Sequence, residues 1–270
     1  MGNVFVSVKD LELAKQHDYK WIDARFNLQN PTEGLTLYEE DHIENAVYWN
    51  LEKDLSDMQK NAGRHPMPDK EQLETLFEQS GLQQDQFILI YDQGGSPFAT
   101  RAWWMLQYGG FKNVKVIQEG YQALQKAGFK TTGEKTIVES TQLEMNWQDQ
   151  LYTDRDGVKA IVDGKVKRTL LDARANIRYR GEEEAIDKIA GHIPGALNYD
   201  WEQLKENGYL APNDTLLDVV SKDEPITVYC GSGVTASPLY AILKEMEYEN
   251  VQLYTGSYSD WITKYEVEKG

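Results

Sequence analysis

The chain has 270 residues, of which 40% are apolar and 27% are charged, and its formal net charge is −16. This length suits two globular domains of about 130 residues each, and the composition excludes a disordered or fibrous chain. The acidic balance argues against nucleic-acid and membrane partners, since both kinds of surface are bound by an excess of Lys and Arg. No apolar run has the length of a signal peptide or a membrane span, so we expect a cytoplasmic protein.

Five short blocks mark the first half of the sequence. In chain order they are WIDAR (21–25), DHIENAVYWN (41–50), FILIYD (87–92), RAWWMLQYGG (101–110) and VKVIQEGYQAL (114–124). The run at 87–92 is apolar on both faces, as strands buried in a parallel sheet are, and the run at 101–110 is apolar at helical spacing. Trp103 and Trp104 fall in that helix and are interpreted as core or interface packing. These elements predict an α/β domain.

A polar stretch separates the halves. Residues 131–157 lack strong periodicity and contain several Ser, Thr and Gly residues, so we interpret them as a linker. The predicted domains are therefore residues 1–130 and 158–270.

The second half repeats the blocks of the first in the same order. They are LLDAR (170–174), GHIPGALNYD (191–200), PITVYC (225–230), SPLYAILKEMEYEN (237–250) and VQLYTGSYSDW (251–261). The two Asp-Ala-Arg motifs are 149 residues apart, and the matched glycines of the two final blocks, Gly120 and Gly256, are 136 residues apart. The sequence thus predicts two similar α/β domains, each with a mainly parallel central sheet flanked by helices.

Cys230, the only cysteine, ends the strand predicted at 225–230. The loop that follows it, Gly231 to Thr235, is rich in small residues and leads into a helix that begins near Ala236. In such a turn, backbone N–H groups and the helix dipole favour a thiolate, and the carboxyl edge of a parallel sheet is where α/β proteins place their sites. We therefore predict a nucleophilic cysteine and not a buried structural one.

The CGSGVTA loop, the LYTGSYSDW block, both DAR motifs and the HIPGA block together resemble the tandem-domain rhodanese family of sulfurtransferases. The resemblance covers nearly the whole chain. It implies two rhodanese-like domains and a catalytic Cys230 that carries sulfur as a persulfide. It also implies a small-molecule sulfur donor, and cyanide, a small thiol or a thioredoxin-like dithiol protein as acceptor. No metal or organic cofactor is implied.

The loop sequence bears on the sulfur donor. It is similar to that of 3-mercaptopyruvate sulfurtransferases, whereas thiosulfate-preferring members usually carry two basic residues at the positions of Gly231 and Ser232. By this resemblance, Gly231, Gly233, Val234 and Thr235 are expected to line the substrate site. Mercaptopyruvate is thus the expected donor, with thiosulfate second.

Two cations are expected to help bind the donor. Arg178 aligns with the family's substrate-binding arginine, which can hold a carboxylate bidentately. Family members often have a second arginine shortly before the HIPG block, but the stretch EEEAIDKIAGHIPG contains none. Lys188 is the nearest cation there.

A Ser-His-Asp relay has been proposed for mercaptopyruvate-type members. Ser232 is expected to take part in catalysis, and His65 in GRHPMPD lies where the family's histidine would lie. The aspartate position is occupied by Asn50, which cannot stabilise an imidazolium as a carboxylate does. Ser232 is then left with the simpler role of a hydrogen-bond donor to the substrate.

The first half lacks the nucleophile, since Asp92 stands where the second half has Cys230. We therefore predict a non-catalytic first domain that closes the active-site cleft. His42 and His192 lie in the same repeated block with no further ligands at metal spacing, so both are interpreted as structural. The Asp-Ala-Arg motifs are likewise expected to hold strand ends by hydrogen bonds.

A cysteine in a loop between a strand and a helix is also compatible with two other functions. A Cys-dependent phosphatase needs an Arg six or seven positions after the cysteine, where this chain has Ala236 and Ser237, which argues against it. A non-enzymatic persulfide carrier or binding module is the alternative that the retained cysteine leaves open.

Overall fold

The computed structural model describes residues 3–13 and 19–270. The described residues form two compact units. The first takes its residues from 1–57, 68–148 and 207–210, and the second from 58–67, 149–206 and 211–270. Each unit therefore contains a short segment from the other half of the sequence. The domain boundaries predicted from the sequence, 1–130 and 158–270, stay a prediction.

The first unit contains a five-stranded parallel sheet in the order β1-β6-β5-β2-β4. The elements of this half are β1 (Phe5–Val6), α1 (Val8–Leu13), β2 (Lys20–Asp23), α2 (Glu33–Glu40), β3 (His42–Ile43), β4 (Val47–Tyr48), α3 (Lys70–Gln79), β5 (Ile88–Tyr91), α4 (Phe98–Tyr108), β6 (Val114–Ile117), α5 (Tyr121–Lys126) and β7 (Thr131–Thr132). Strands β3 and β7 form a small antiparallel pair.

The second unit also contains a five-stranded parallel sheet, in the order β10-β9-β13-β14-β8. The elements of this half are β8 (Tyr152–Thr153), α6 (Arg155–Val162), β9 (Thr169–Asp172), α7 (Asn176–Tyr179), β10 (Leu197–Asn198), β11 (Lys205–Glu206), β12 (Tyr209–Leu210), β13 (Ile226–Tyr229), α8 (Ala236–Glu245), β14 (Val251–Tyr254) and α9 (Ser257–Trp261). Three 3-10 turns lie at Asp149–Leu151, Trp201–Leu204 and Asp214–Asp218.

The two sheets have the same topology. Read from the opposite edge, the second sheet places β8, β14, β13, β9 and β10 where the first has β1, β6, β5, β2 and β4. The central strands β5 and β13 are buried at every position, as expected for strands covered on both faces. The predicted pair of α/β domains with parallel sheets is confirmed.

The Asp-Ala-Arg motifs hold the ends of β2 and β9. Arg25 donates to both carboxylate oxygens of Asp23, from Nε to Oδ1 at 3.1 Å and from Nη2 to Oδ2 at 2.6 Å. Arg174 makes the same contacts with Asp172, and its Nη2 also donates to the carbonyl of Gly191 at 2.7 Å. All four side chains are buried, so each ion pair is well shielded from water. The expected structural role of both motifs is confirmed.

The two histidines of the repeated block are structural in each unit. The Nδ1 atom of His42 lies 2.6 Å from the carbonyl oxygen of Tyr38, and the ring stacks on that tyrosine at 3.7 Å. His192 is held in the same way by Tyr179, at 2.8 Å and 3.9 Å. Both imidazole rings are held by stacking and by a hydrogen-bond contact with the tyrosine carbonyl, which fits the structural role that the sequence predicted.

Several elements fall inside the stretch predicted as a linker. They are β7, the first 3-10 turn, β8 and the start of α6. These elements are too short to give a periodic pattern. Of the helices described within 3–13 and 19–270, none is long and apolar enough to cross a membrane.

Candidate active site

The candidate site lies at the carboxyl end of β13, the central strand of the second sheet. Residues 230–235 form the loop between β13 and α8, and this is the edge at which parallel sheets bind their ligands. Helix α9 holds the loop through two backbone hydrogen bonds. The Tyr258 amide donates to the Cys230 carbonyl at 3.0 Å, and the Ser259 amide donates to the Gly231 carbonyl at 2.9 Å.

Cys230 has a 1% exposed side chain. Its Sγ accepts a hydrogen bond from the backbone amide of Gly233 at 3.1 Å. The loop thus folds back so that an N–H group points at the sulfur, which stabilises negative charge there. This is the arrangement that the small residues after Cys230 predicted.

Gly233 makes this turn possible. Its φ of 77° lies in the left-handed region. A β-carbon there would stand 2.1 Å from the carbonyl oxygen of Thr255, which is closer than any real side chain comes. Glycine is therefore required both by the backbone angle and by the close approach of the next strand.

Ser257 supports the cysteine, although nothing in the sequence singled it out. It is buried with a positive φ of 57°, which is uncommon for a residue with a side chain. Its Oγ accepts from the Cys230 amide at 3.1 Å, donates to the Tyr254 carbonyl at 2.8 Å, and lies 4.0 Å from Sγ. The block LYTGSYSDW contains this serine, but the backbone angle that turns its side chain toward Cys230 cannot be inferred from the sequence.

Ser232 and His65 are brought together, as the resemblance implied. The Ser232 Oγ lies 2.9 Å from Nδ1 of His65. His65 belongs to the segment 58–67, which forms part of the second unit. The amide of Arg64 anchors this segment by donating to Ser259 Oγ at 3.0 Å.

Val234 and Thr235 are the last two residues of the loop. Val234 is buried and Thr235 is half-buried at the N-terminus of α8. Lys188, which the sequence offered as a second cation, is an exposed residue of the segment between α7 and β10.

Arg178 lies beside the loop and is held by two acidic side chains. Its Nη2 donates to Glu184 Oε1 at 2.8 Å and to Asp187 Oδ2 at 3.1 Å. Both Nη atoms would be 3.7 Å from a β-carbon at Gly231. Burial alone would raise the pKa of Glu184, but hydrogen bonds from Arg178 and from the amides of Asp187 and Ile186 together lower it, whereas burial raises the pKa of Asp187.

Arg64 places a second guanidinium beside Gly231, although no sequence motif pointed to it. Its Nη1 forms an ion pair with Asp187 Oδ1. Its Nη2 would be 2.5 Å from a β-carbon at Gly231. Arg64 and Gly231 are far apart in the chain, so only the fold reveals that they meet.

Asp92 occupies the matching loop of the first unit, between β5 and α4. Its buried carboxylate accepts from the amides of Gly94 at 2.8 Å and Ala99 at 3.0 Å. Burial raises the pKa of Asp92 to about 6. The Asp92 carboxylate therefore accepts backbone hydrogen bonds in its loop, as Cys230 Sγ does in the matching loop of the second unit.

Comparison with known proteins supports this picture. The rhodanese-like domain matches twice, at residues 8–127 and 154–264. The chain belongs to the rhodanese family. A probable 3-mercaptopyruvate sulfurtransferase of Pseudomonas aeruginosa is 36% identical over 252 residues, which cover 90% of this chain and 88% of the relative. The predicted tandem rhodanese-type sulfurtransferase is thus confirmed.

Other rhodanese relatives differ in the donor that their names give. A putative thiosulfate sulfurtransferase of Mycobacterium tuberculosis is 32% identical, over 89% of this chain and 86% of the relative. The solved structure of the 3-mercaptopyruvate sulfotransferase of Escherichia coli superposes with a TM-score of 0.79 at 28% identity, over 94% of this chain and 98% of that one. Family membership therefore leaves the donor to be argued from the site.

Proposed function

We propose that this rhodanese takes sulfur from 3-mercaptopyruvate, holds it as a persulfide on Cys230 and passes it to a thiol, to cyanide or to a thioredoxin-like protein. The observation that carries the proposal is the Cys230 Sγ at the end of β13, with the Gly233 amide directed at it from 3.1 Å. Thiosulfate is the second candidate donor, and the cytoplasm is the proposed location.

The first step transfers sulfur to the enzyme. The Cys230 thiolate attacks the donor sulfur, an S–S bond forms, and the C–S bond breaks with its electron pair left on carbon as the enolate of pyruvate. The proton of the donor thiol completes the methyl group. We place Ser232, hydrogen-bonded to His65 at 2.9 Å, beside this proton.

The second step returns the free thiolate. An acceptor nucleophile attacks the outer sulfur, the S–S bond breaks, and its electron pair goes back to Cys230 Sγ. Cyanide leaves as thiocyanate, while a thiol leaves as its own persulfide. The amide of Gly233 stabilises the negative charge on Sγ before and after both steps.

A non-enzymatic persulfide carrier remains the alternative function. It would bear the same sulfur on Cys230 but would depend on a partner protein to load and unload it. The cationic side chains beside Gly231 favour the enzyme, because they offer a small anionic donor a place to bind.

Mass spectrometry of the intact protein tests this function. After mixing with 3-mercaptopyruvate, the chain should gain about one sulfur atom, and cyanide should remove it, because the thiolate is the sulfur acceptor. The Cys230→Ser variant should gain nothing. An equal gain in that variant would disprove the role of Cys230, and a clear kinetic preference for thiosulfate would overturn mercaptopyruvate as donor.

A further inference from the structure

Two guanidinium groups flank Gly231, the residue directly after Cys230. A β-carbon at Gly231 would be 2.5 Å from Nη2 of Arg64 and 3.7 Å from both Nη atoms of Arg178. The loop itself is neutral at this position. The fold nevertheless surrounds it with positive charge.

The acidic partners of these cations lie behind them. The side chain of Asp187 is 3% exposed and that of Glu184 is 2% exposed, whereas Arg64 and Arg178 are 31% and 21% exposed. An anion that arrives from solvent therefore meets the guanidinium groups before the carboxylates. Buried carboxylates also fix the guanidinium planes, so less side-chain entropy is lost on binding.

We propose that Arg64 is a donor-binding residue that supplies the second cation of the site, and that Asp187 is the residue that positions it. This rests on the proposed function and deepens it. The ligand class is a small sulfur compound with a carboxylate or sulfonate group, held between Arg64 and Arg178. In this proposal the second cation is Arg64 and not the exposed Lys188, because Arg64 is the side chain that lies at Gly231.

A neutral loop flanked by two guanidinium groups can still bind an anionic donor. The loop carries no charge at Gly231, and a guanidinium from residue 64 lies against the space that the glycine leaves. A planar guanidinium can bind the carboxylate of mercaptopyruvate and also the sulfonate of thiosulfate. We therefore expect one cation pair to serve both donors.

Alkylation of the single cysteine tests the anion site directly. Iodoacetate and iodoacetamide react alike, with an S–C bond formed at Cys230 and iodide leaving, but only iodoacetate is an anion. The ratio of their second-order rates, followed by intact mass, reports anion binding beside the sulfur. Damage to the thiolate itself would slow both reagents equally and leave the ratio unchanged.

The Arg64→Gln variant should lower the iodoacetate to iodoacetamide ratio roughly fivefold or more, as expected for one lost charge-assisted hydrogen bond at a partly exposed site. The donor concentration that half-saturates sulfur loading should rise by a similar factor. Arg64→Lys should retain part of the effect. Arg180→Gln is the matched control, because Arg180 pairs with Glu182 on the surface at 3.0 Å.

The proposal fails if the ratio in Arg64→Gln stays within twofold of the parent, or if Arg180→Gln lowers it equally. Alkylation needs no sulfur donor, so this outcome is distinct from failure of the proposed function. If the parent gains no sulfur but the ratio responds to Arg64, the anion site stands and the sulfur donor is wrong.

The Asp187→Asn variant distinguishes two roles of Asp187, namely holding the guanidinium groups in position and cancelling their positive charge. If Asp187 only cancels positive charge, its removal makes the site more attractive to anions and the ratio rises. If Asp187 holds the guanidinium groups of Arg64 and Arg178 in place, the ratio falls while the rate with iodoacetamide stays the same. We expect the fall, and a rise would overturn the positioning role.

Discussion

At the scale of single residues, the Cys230 loop depends on Gly233 for its shape. Its amide is the donor to Sγ, its φ is positive, and the Thr255 carbonyl leaves no space for a side chain. Any other residue must either move the loop away from β14 or abandon the left-handed angle. In both cases the N–H group no longer points at the sulfur.

We predict that Gly233→Ala destabilises the protein by about 3 kcal/mol and slows sulfur loading at least tenfold, because backbone strain adds to a steric clash. Denaturant unfolding and the rate of mass gain measure the two effects. Gly128→Ala is the control, since Gly128 has a similar φ of 79° but nothing within 4 Å of its added β-carbon. Equal effects of both substitutions would contradict the role of the Thr255 contact.

The sequence predicted some residues of the site and not others, for a physical reason. Cys230, Ser232 and His65 were found from the loop composition and a family resemblance, and the structure brings them together. Arg64 and Ser257 were missed because their relation to the cysteine depends on long-range packing and on one backbone angle. Neither property has a local signature in the sequence.

At the scale of elements, each Asp-Ala-Arg motif joins a strand to the segment that follows it. Arg25 donates from Nη2 to the carbonyls of Leu37 and Asp41 at the end of α2, at 3.1 and 2.7 Å, as well as to Asp23. Its guanidinium also lies 4.0 Å from the centre of the Tyr121 ring in α5. One side chain thus ties β2 to two helices.

We predict that Arg25→Met lowers the free energy of unfolding by about 3 to 5 kcal/mol, because it leaves the buried Asp23 carboxylate without its partner. Calorimetry or denaturant unfolding measures the loss. The double variant Asp23→Asn/Arg25→Met should recover part of it, since no charge is then buried. Lys130→Met, which breaks an exposed pair with Glu44, should cost less than about 1 kcal/mol.

Element positions were predictable where burial is continuous. The apolar runs at 87–92 and 225–230 contain β5 and β13, and both following helices were expected. The observed helix limits differ from those of the sequence blocks. Helix α4 begins at Phe98 and not at residue 101, and α8 ends at Glu245 and not at residue 250. Helix ends are set by local hydrogen bonds, which hydrophobic spacing does not report.

At the scale of the whole molecule, two rhodanese domains share one topology but only one can carry sulfur through a thiolate. In the first unit, a β-carbon at Gly95 would lie 2.0 Å from the carbonyl oxygen of Gly208, and one at Gly94 would lie 3.1 Å from the ring of Tyr209. Residues 207–210 therefore cover the Asp92 loop from outside. The predicted non-catalytic role of this half remains a proposal, and the covered loop supports it.

We predict that the Asp92→Cys variant contains two thiols but still gains about one sulfur atom from 3-mercaptopyruvate, because the new thiol would be buried in a loop that residues 207–210 cover and would lack the guanidinium pair. Intact mass gives the number of sulfur atoms bound. The double variant Asp92→Cys/Cys230→Ser should gain none. A gain of two sulfur atoms in the single variant would mean that the first loop is open and competent.

Residues 58–67 belong to the second unit, and this limits how the gene could be shortened. A shortened gene that encoded only residues 149–270 would keep Cys230 but lose His65 and Arg64, which contribute to the surroundings of the sulfur. A duplicated ancestor could therefore lose the nucleophile from one copy without becoming free to discard that copy. The first half of the sequence would still be needed for the two side chains that it supplies to the second unit.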